Sequence, residues 1–335
     1  MIDFTNNYVV NNLNPDFDLS KYYHPDMTAI DWQTLMLNSR IDNEGLIKWN
    51  DKIQLYKWMK ESDISGPPVV YYSNESHKVS DVLKTLDKDK TYVVKPTHLS
   101  LSRYVFKWKN NNVYQIHTPS MREWVIRGQS GNDDNSPVTI WPWVSSYERI
   151  DSLMKQAWNT LDDEDWPRYY APPGVIIEEY AGDSDESRTE MHFLCIWGII
   201  VAVSVTFVNH KVFGDDGFNL NIDDNQKILG IKRAGKTEGE GYLDCEMGYE
   251  EILPKWWKEA WDMCKPILDN SRPDQVRLDY MFHNDKVYLS EFTWNPGCDF
   301  KEKNKALSPQ AYTLLSEGYK YRLGGDRPRV KLNIG

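Results

Sequence analysis

The stretch V-R-L-D-Y-M-F-H-N-D-K-V-Y-L-S-E-F-T-W-N-P-G, residues 276–297, decides how this chain is read. Alternation places Val276, Leu278, Tyr280 and Phe282 on one face of a strand and Arg277 and Asp279 on the other. His283-Asn284-Asp285 predicts a tight loop, with Phe282 opposite Lys286, Asp279 opposite Leu289 and Arg277 opposite Glu291. Residues paired across two strands share a face, so Asp279 and Glu291 become diagonal neighbours about 7–8 Å apart at the backbone. Two acids on one sheet face repel each other unless a cation neutralises them. An oxygen-only site of this kind suits Mg²⁺ bridging to phosphates. The plain alternative is a solvated hairpin face with an incidental Arg277–Glu291 pair.

The whole chain has 335 residues, room for about two compact lobes. With 40% hydrophobic and 27% charged residues it is an ordinary globular composition, which excludes disorder as the main state. The net charge of −11 argues against a sequence-independent grip on nucleic acid or anionic lipid. Any phosphate must then be held locally, by a few basic side chains and a divalent cation. Cys195, Cys245, Cys264 and Cys298 show no CxxC spacing, so a zinc site is not indicated and a reducing, cytoplasmic setting is expected. The uncharged run from Phe193 to Val208 is shorter than the roughly 18–20 residues of a membrane-spanning helix. Its β-branched residues predict two buried strands joined near Trp197-Gly198, and no membrane span.

Apolar residues at Ile53, Tyr56 and Met59 predict a helix from Lys52 that ends before Ser65-Gly66-Pro67-Pro68. Val69–Tyr72 reads as a strand, Val79–Leu86 as a helix, and Thr91–Lys95 as a strand stopped by Pro96. Gly128–Pro137 reads as a polar loop and Ile150–Trp158 as an amphipathic helix. Pro172-Pro173-Gly174 then breaks the chain before the strand Val175–Tyr180 and the acidic loop Gly182–Glu186. Ile252, Trp256, Trp257, Ala260 and Trp261 predict a helix with a Trp-rich core stripe. Strands and helices follow in mixed order, without steady βαβ alternation, so an α+β class is expected. The expected division is a short cap over 1–49, a first lobe over 50–174 and a second over 175–335.

Two lysines complete the constellation. Lys95 ends a strand before a turn with Thr97, Ser100 and Ser102, and Lys52 opens a helix behind Asn50-Asp51. The loop after Lys95 lacks glycine and is not a P-loop. His192 and His210 read as packing or surface residues, and His98 as a loose phosphate contact. Arg103, Arg127, Lys232, Arg233 and Lys236 fall in loop-like stretches and are candidates for an acidic acceptor, with Gly235–Gly241 as a lid.

In this order the segments resemble the ATP-grasp superfamily, over about Asn50 to Gly297. Asn50-Asp51-Lys52 resembles its "DK" helix start, and Tyr92-Val93-Val94-Lys95-Pro96 its strand-Lys-Pro. Val175–Tyr180 is similar to its hinge strand, and Arg277-Leu278-Asp279 with Glu291-Phe292-Thr293 to its "RxD…ExN" hairpin. The resemblance implies two antiparallel-sheet lobes holding ATP between them, with Lys52 and Lys95 as phosphate ligands. It implies Glu178 beside the adenine amino group, the Glu179 carbonyl accepting from it, Tyr180 within the hinge and the Ala181 amide donating to the ring. Glu190 is implied on the ribose hydroxyls, and Asp279, Glu291 and Thr293 on two Mg²⁺ ions.

Thr293 stands where many members carry Asn, which points to a weaker ligand or to help from Asn295. Within the superfamily the "RLDY" and "EFTWNPG" segments look most like the branch associated with teichuronopeptide biosynthesis. The activity implied is an ATP-dependent carboxylate–amine ligase working through an acyl phosphate, with Arg277 on developing negative charge. The acceptor is a small molecule, glycan or peptide. A kinase phosphorylating a hydroxyl uses the same site and stays open, as does an aromatic-rich binding protein with a decayed nucleotide fold.

Overall fold

A computed structural model describes residues 49, 51–75, 78–99, 104–109, 112–116, 142–143, 147–160, 171–181, 188–210, 214–222, 226, 228–233, 252–271, 273 and 275–293. Two six-stranded antiparallel sheets with helices make this an α+β protein. The described residues divide into two units. One takes those from Trp49 to Ser62 and from Pro67 to Tyr180, the other Asp63–Gly66 and those from Ala181 onward.

In the first of these units, helix α1 (Lys52–Glu61) begins where Asp51 turns out of the helix and accepts the Ile53 amide at 2.9 Å. That bond satisfies one of the orphan donors of the first turn. The strands β1 (Val69–Ser73), β2 (Tyr92–Pro96), β3 (Phe106–Lys109), β4 (Asn112–Ile116), β5 (Pro142–Trp143) and β6 (Val175–Glu179) form a sheet in the order β1-β6-β2-β3-β4-β5. Alternation along β2 buries Tyr92 and Val94 and leaves Val93 and Lys95 half-buried. The buried set joins Phe106, Trp108, Val175 and Ile177 in a core closed by α2 (Val79–Leu83) and α3 (Tyr147–Trp158). Asp151 of α3 accepts both the Ser80 amide, at 3.0 Å, and the Ser80 hydroxyl, at 2.7 Å, tying the two helices.

The second sheet has the order β10-β9-β8-β7-β11-β12. Its strands are β7 (Arg188–Ile196), β8 (Ile199–His210), β9 (Gly214–Ile222), β10 (Ile228–Arg233), β11 (Gln275–His283) and β12 (Lys286–Thr293). Strands β7 and β8 join at Trp197-Gly198, both at positive φ (51° and 76°), the twist a two-residue hairpin turn requires. Helix α4 (Trp257–Ser271) covers one face with Ala260, Cys264, Ile267 and Leu268. Phe193 meets Trp261 and Tyr280 edge-on at 6.0 and 5.4 Å. Among the described residues no helix is long and apolar enough to cross a membrane.

Five expectations change, the first being the helix expected over Val79–Leu86, which ends at Leu83. The β11–β12 loop has two residues, Asn284 and Asp285, both at positive φ, so His283 rather than Phe282 opens the ladder opposite Lys286. A bulge then leaves Ser290 as the extra residue of β12, its hydroxyl donating to the Asp279 carbonyl at 3.0 Å. As a result Asp279 lies directly opposite Glu291, and Arg277 opposite Thr293. The strand Val175–Glu179 pairs with β1 and β2, so it belongs with the residues before the expected boundary at 174. The Trp-rich helix starts only at Trp257, after Pro254, and runs through Pro266 to Ser271. Trp256 stays outside it and stacks on Phe282 at 6.1 Å and 4°. Lys232 and Arg233 lie in β10, not in a loop.

Asp51 is almost fully buried, and desolvation raises its pKa against the bonds from the helix amides. Ionisation therefore costs more in the folded chain. The stability tied to the protonated form is fully present below the unfolded pKa of about 3.9 and is lost as pH rises through the folded value. Asp51→Ala should lose about 1 kcal/mol through the missing cap. Asp51→Asn should keep the cap and gain on the wild type as pH is raised from 3 to 7, read by urea unfolding at each pH. Gly174 sits where a Cβ would lie 2.6 Å from Thr97 Oγ1 and 3.0 Å from the Ser73 carbonyl. Gly174→Ala should cost about 1–3 kcal/mol in the same assay.

Candidate functional site

On the first sheet, Lys95 and Glu178 face away from the helix-covered core. Lys95 Nζ pairs with Glu178 Oε2 at 2.5 Å, and the two side chains are 20% and 9% exposed. Lys95 and Glu178 sit on neighbouring strands one ladder step apart, because Val93 is opposite Glu178 and Lys95 opposite Ile176. Lys90 pairs with Glu179 at 2.6 Å, in solvent. The Tyr180 amide donates to the Thr91 carbonyl at 2.8 Å, and the Lys107 ammonium lies 3.7 Å from the centre of the Tyr180 ring. Tyr180 and Ala181 are buried. Lys52, at the first position of α1, reaches the Leu99 carbonyl at 3.0 Å. The structure thus places Lys52, Lys95, Glu178, Glu179 and Tyr180 in one unit, while Ala181 begins the other.

His98, expected as a loose phosphate contact, is buried and engaged with backbone carbonyls. Its ring is 3% exposed, and Nε2 lies 3.0 Å from the Ala157 carbonyl and 3.2 Å from that of Thr160, which ties the turn after β2 to the end of α3. The side chains of Arg103, Arg127, Lys232, Arg233, Lys236 and His210, the segments Gly128–Pro137, Gly182–Glu186 and Gly235–Gly241, and Asn295 lie outside the described residues.

On the second sheet, register builds a transverse row of polar residues. Asn219 of β9 is opposite Ser204 of β8, Ser204 opposite His192 of β7, His192 opposite Asp279 of β11, and Asp279 opposite Glu291 of β12. Five strands contribute one polar residue each to one line. The opposite face is apolar: Val203, Val205, Met191, Phe193, Val276, Leu278 and Tyr280 are each at most 2% exposed. Arg277 grips Asp279 through Nε to Oδ1 and Nη2 to Oδ2, both at 2.7 Å. Burial of Asp279 nevertheless raises its pKa, outweighing the lowering by His192 and Arg277.

One residue beyond His192 on the same face, Glu190 is held by Arg188 at 2.8 Å and by His192 at 3.3 Å. Burial opposes its ionisation, but the His192 hydrogen bond and the Arg188 charge leave its pKa lowered. His192 is the residue sequence reasoning missed. Its period-two spacing from Glu190 was the available signal, but only the β7–β11 register sets it beside Asp279.

Beside the His192 imidazole, Asp279 has oxygen donors on β12. Thr293 Oγ1 is buried without a hydrogen-bond partner, on the residue opposite Arg277, and Glu291 lies two positions away on β12. Among the described residues no three His, Cys, Asp or Glu side chains assemble a metal cage. Two carboxylates and an orphaned hydroxyl fit Mg²⁺, which keeps several waters and takes the remainder of its shell from phosphates.

No protein-family model matches the sequence, and no curated protein matches it. Among solved structures the chain is similar to a D-alanine–D-alanine ligase from Helicobacter pylori, with a TM-score of 0.40 and 13% identity over 86% of this chain and 68% of that one. It is also similar to the biotin carboxylase domain of 2-oxoglutarate carboxylase from Hydrogenobacter thermophilus, solved with MgADP and bicarbonate, with a TM-score of 0.44 and 8% identity over 92% and 53%. A third similarity is to the ATP-grasp ligase PsnB complexed with a minimal precursor, with a TM-score of 0.38 and 9% identity over 80% and 60%.

Removing the Arg277 guanidinium strands a buried carboxylate. Arg277→Gln should lower the unfolding free energy by about 1–3 kcal/mol, and Arg277→Gln/Asp279→Asn should recover part of that loss, both read by thermal denaturation without nucleotide.

Proposed function

We propose that this chain is an ATP-dependent carboxylate–amine ligase of the ATP-grasp type. The observation that carries the proposal is the direct pairing of Asp279 with Glu291 beside the orphaned Thr293 hydroxyl, two residues along a strand from Arg277. Its order along the chain, after a helix-opening lysine, a strand-ending lysine and the Glu178-Glu179 strand, supports the same reading. Thr293, in the third ligand position, favours the teichuronopeptide-biosynthesis branch.

In this reading Asp279, Glu291 and Thr293 would hold two Mg²⁺ ions. Bound there, Mg²⁺ would neutralise phosphate charge and help to orient the transfer. Lys52 and Lys95 bind the triphosphate. For Lys95 this means exchanging or sharing Glu178, with which it is already paired. Glu178 and the backbone of Glu179, Tyr180 and Ala181 take the adenine, and Glu190 takes the ribose hydroxyls.

A carboxylate oxygen of the acceptor attacks the γ-phosphorus and the bond to the β–γ bridging oxygen breaks, giving an acyl phosphate and ADP. An amine nitrogen then attacks the acyl carbon and phosphate departs with the C–O electron pair. The amine proton passes to phosphate or solvent. Arg277 serves the negative charge that develops on the phosphoryl group or the tetrahedral oxyanion. Its guanidinium has five N–H donors, two of which are engaged by Asp279.

Calorimetry should detect ATP binding that requires Mg²⁺ and disappears with EDTA. Asp279→Asn and Glu291→Gln should keep the wild-type circular dichroism and lose ADP release by about 100-fold or more. In a panel of acids and amines, ADP and phosphate should appear only when both are supplied. A stable phosphorylated acceptor with no amine present identifies a kinase instead, and a folded protein that ignores MgATP ends the proposal.

A further inference from the structure

His192 has no part in the function just described, yet its place in the row is specific. Along β7 the side chains of Arg188, Glu190 and His192 follow at every second residue on one face, about 6.6 Å from one to the next. Glu190 stands in the middle. Arg188 Nε lies 2.8 Å from its Oε1, and His192 Nε2 lies 3.3 Å from its Oε2. The far side of the imidazole meets Ser204 Oγ at 3.4 Å from Nδ1, and Ser204 is the residue opposite His192 in the β7–β8 register. Glu190 and His192 are each 17% exposed.

The two contacts differ in kind: Arg188 sets a charge beside Oε1 while its Nε–H makes no hydrogen bond, so the directional hold on Glu190 is the His192 bond to Oε2. A carboxylate fixed by one directional bond and one charge keeps its plane, and its oxygens still have lone-pair directions to offer. Such a group matches a vicinal diol, whose two hydroxyls donate one to each oxygen. With one clamp removed, the carboxylate turns about its terminal bonds, and that freedom must be lost again on binding.

We propose that His192, anchored by Ser204, is a positioning residue that holds the Glu190 carboxylate in the plane needed to recognise the vicinal diol of a nucleotide ribose. The proposal rests on the ATP-binding reading above. Nε2 donates to Glu190 in either protonation state of the ring, while Nδ1 accepts from Ser204 when neutral and donates to it when charged, so the clamp does not depend on titration.

The test compares MgATP with Mg-2′,3′-dideoxyATP, by calorimetry on the wild type, His192→Ala, His192→Gln and Ser204→Ala, with melting curves recorded without nucleotide. The wild type should prefer ATP by about tenfold or more, the worth of charge-assisted bonds to a diol. His192→Ala should lose most of that preference, with weaker ATP binding and dideoxyATP binding within about twofold of the wild type. His192→Gln, whose amide also donates, should restore it, and Ser204→Ala should lose part of it. If His192→Ala keeps the wild-type preference, or weakens both nucleotides equally, the clamp is overturned. If His192→Ala does not fold, Ser204→Ala decides: partial loss of preference supports the clamp, and the wild-type ratio overturns it. A wild type that binds both nucleotides equally refutes the assignment of Glu190 and with it the clamp. One that binds neither refutes the ATP reading itself.

Discussion

The geometry of the acidic row depends on one constraint, the register of β11 between β7 and β12. Side chains alternate along a strand, so a one-residue slip of β11 would turn Asp279 onto the apolar face and carry Leu278 and Tyr280 into the polar one. That slip is opposed by packing. Val276, Leu278 and Tyr280 are fully buried, and Phe193, Tyr280 and Trp261 meet edge to face beneath them. The phenol of Tyr280 also reaches Cys264 of α4 at 3.4 Å. The acids are thus held on their face by the apolar residues on the other, and the cost of burying Asp279 is offset in part by the two-bond grip of Arg277.

On the first sheet the same economy appears in another form. Lys95, Lys90 and Lys107 each have a partner in Glu178, Glu179 or the Tyr180 ring. In a chain of net charge −11 these pairs hold cations in place, Lys95 and Lys107 on the sheet face away from the core and Lys90 just ahead of β2, without an excess of positive charge around them. A polyanion that binds there competes with carboxylates already in place, so recognition rests on geometry as well as on charge. The Gly174 backbone, packed against Thr97 and Ser73, sets how closely the break before β6 approaches the end of β2.

Much of this is legible in the sequence. The helix from Lys52, the strands at Val69, Tyr92 and Val175, and the hairpin at Trp197-Gly198 follow from periodicity and turn residues, since each is local and strongly patterned. The strands β3, β4, β9 and β10 are not, because Phe106–Lys109 and Gly214–Ile222 mix polar and apolar residues and are held as strands by their neighbours in the sheet. The sequence pattern sets no end for the Trp-rich helix. Pro266 lies inside it, and Cys264, Ile267 and Leu268 bury around that proline and carry the helix on to Ser271.

What the sequence by itself determined is the face on which the charges lie: alternation alone puts Arg277 and Asp279 opposite Val276, Leu278 and Tyr280, because the side-chain period of a strand is a property of its backbone. Which charges become neighbours was decided only by the tertiary structure. The two-residue turn at Asn284-Asp285 and the bulge at Ser290 move Glu291 from a diagonal position to one directly across from Asp279. Pairing with β7, some 85 residues earlier in the chain, brings in His192. A register between distant strands is set by the packing of the opposite face and by irregularities in the ladder, and neither is written in the local pattern of either strand.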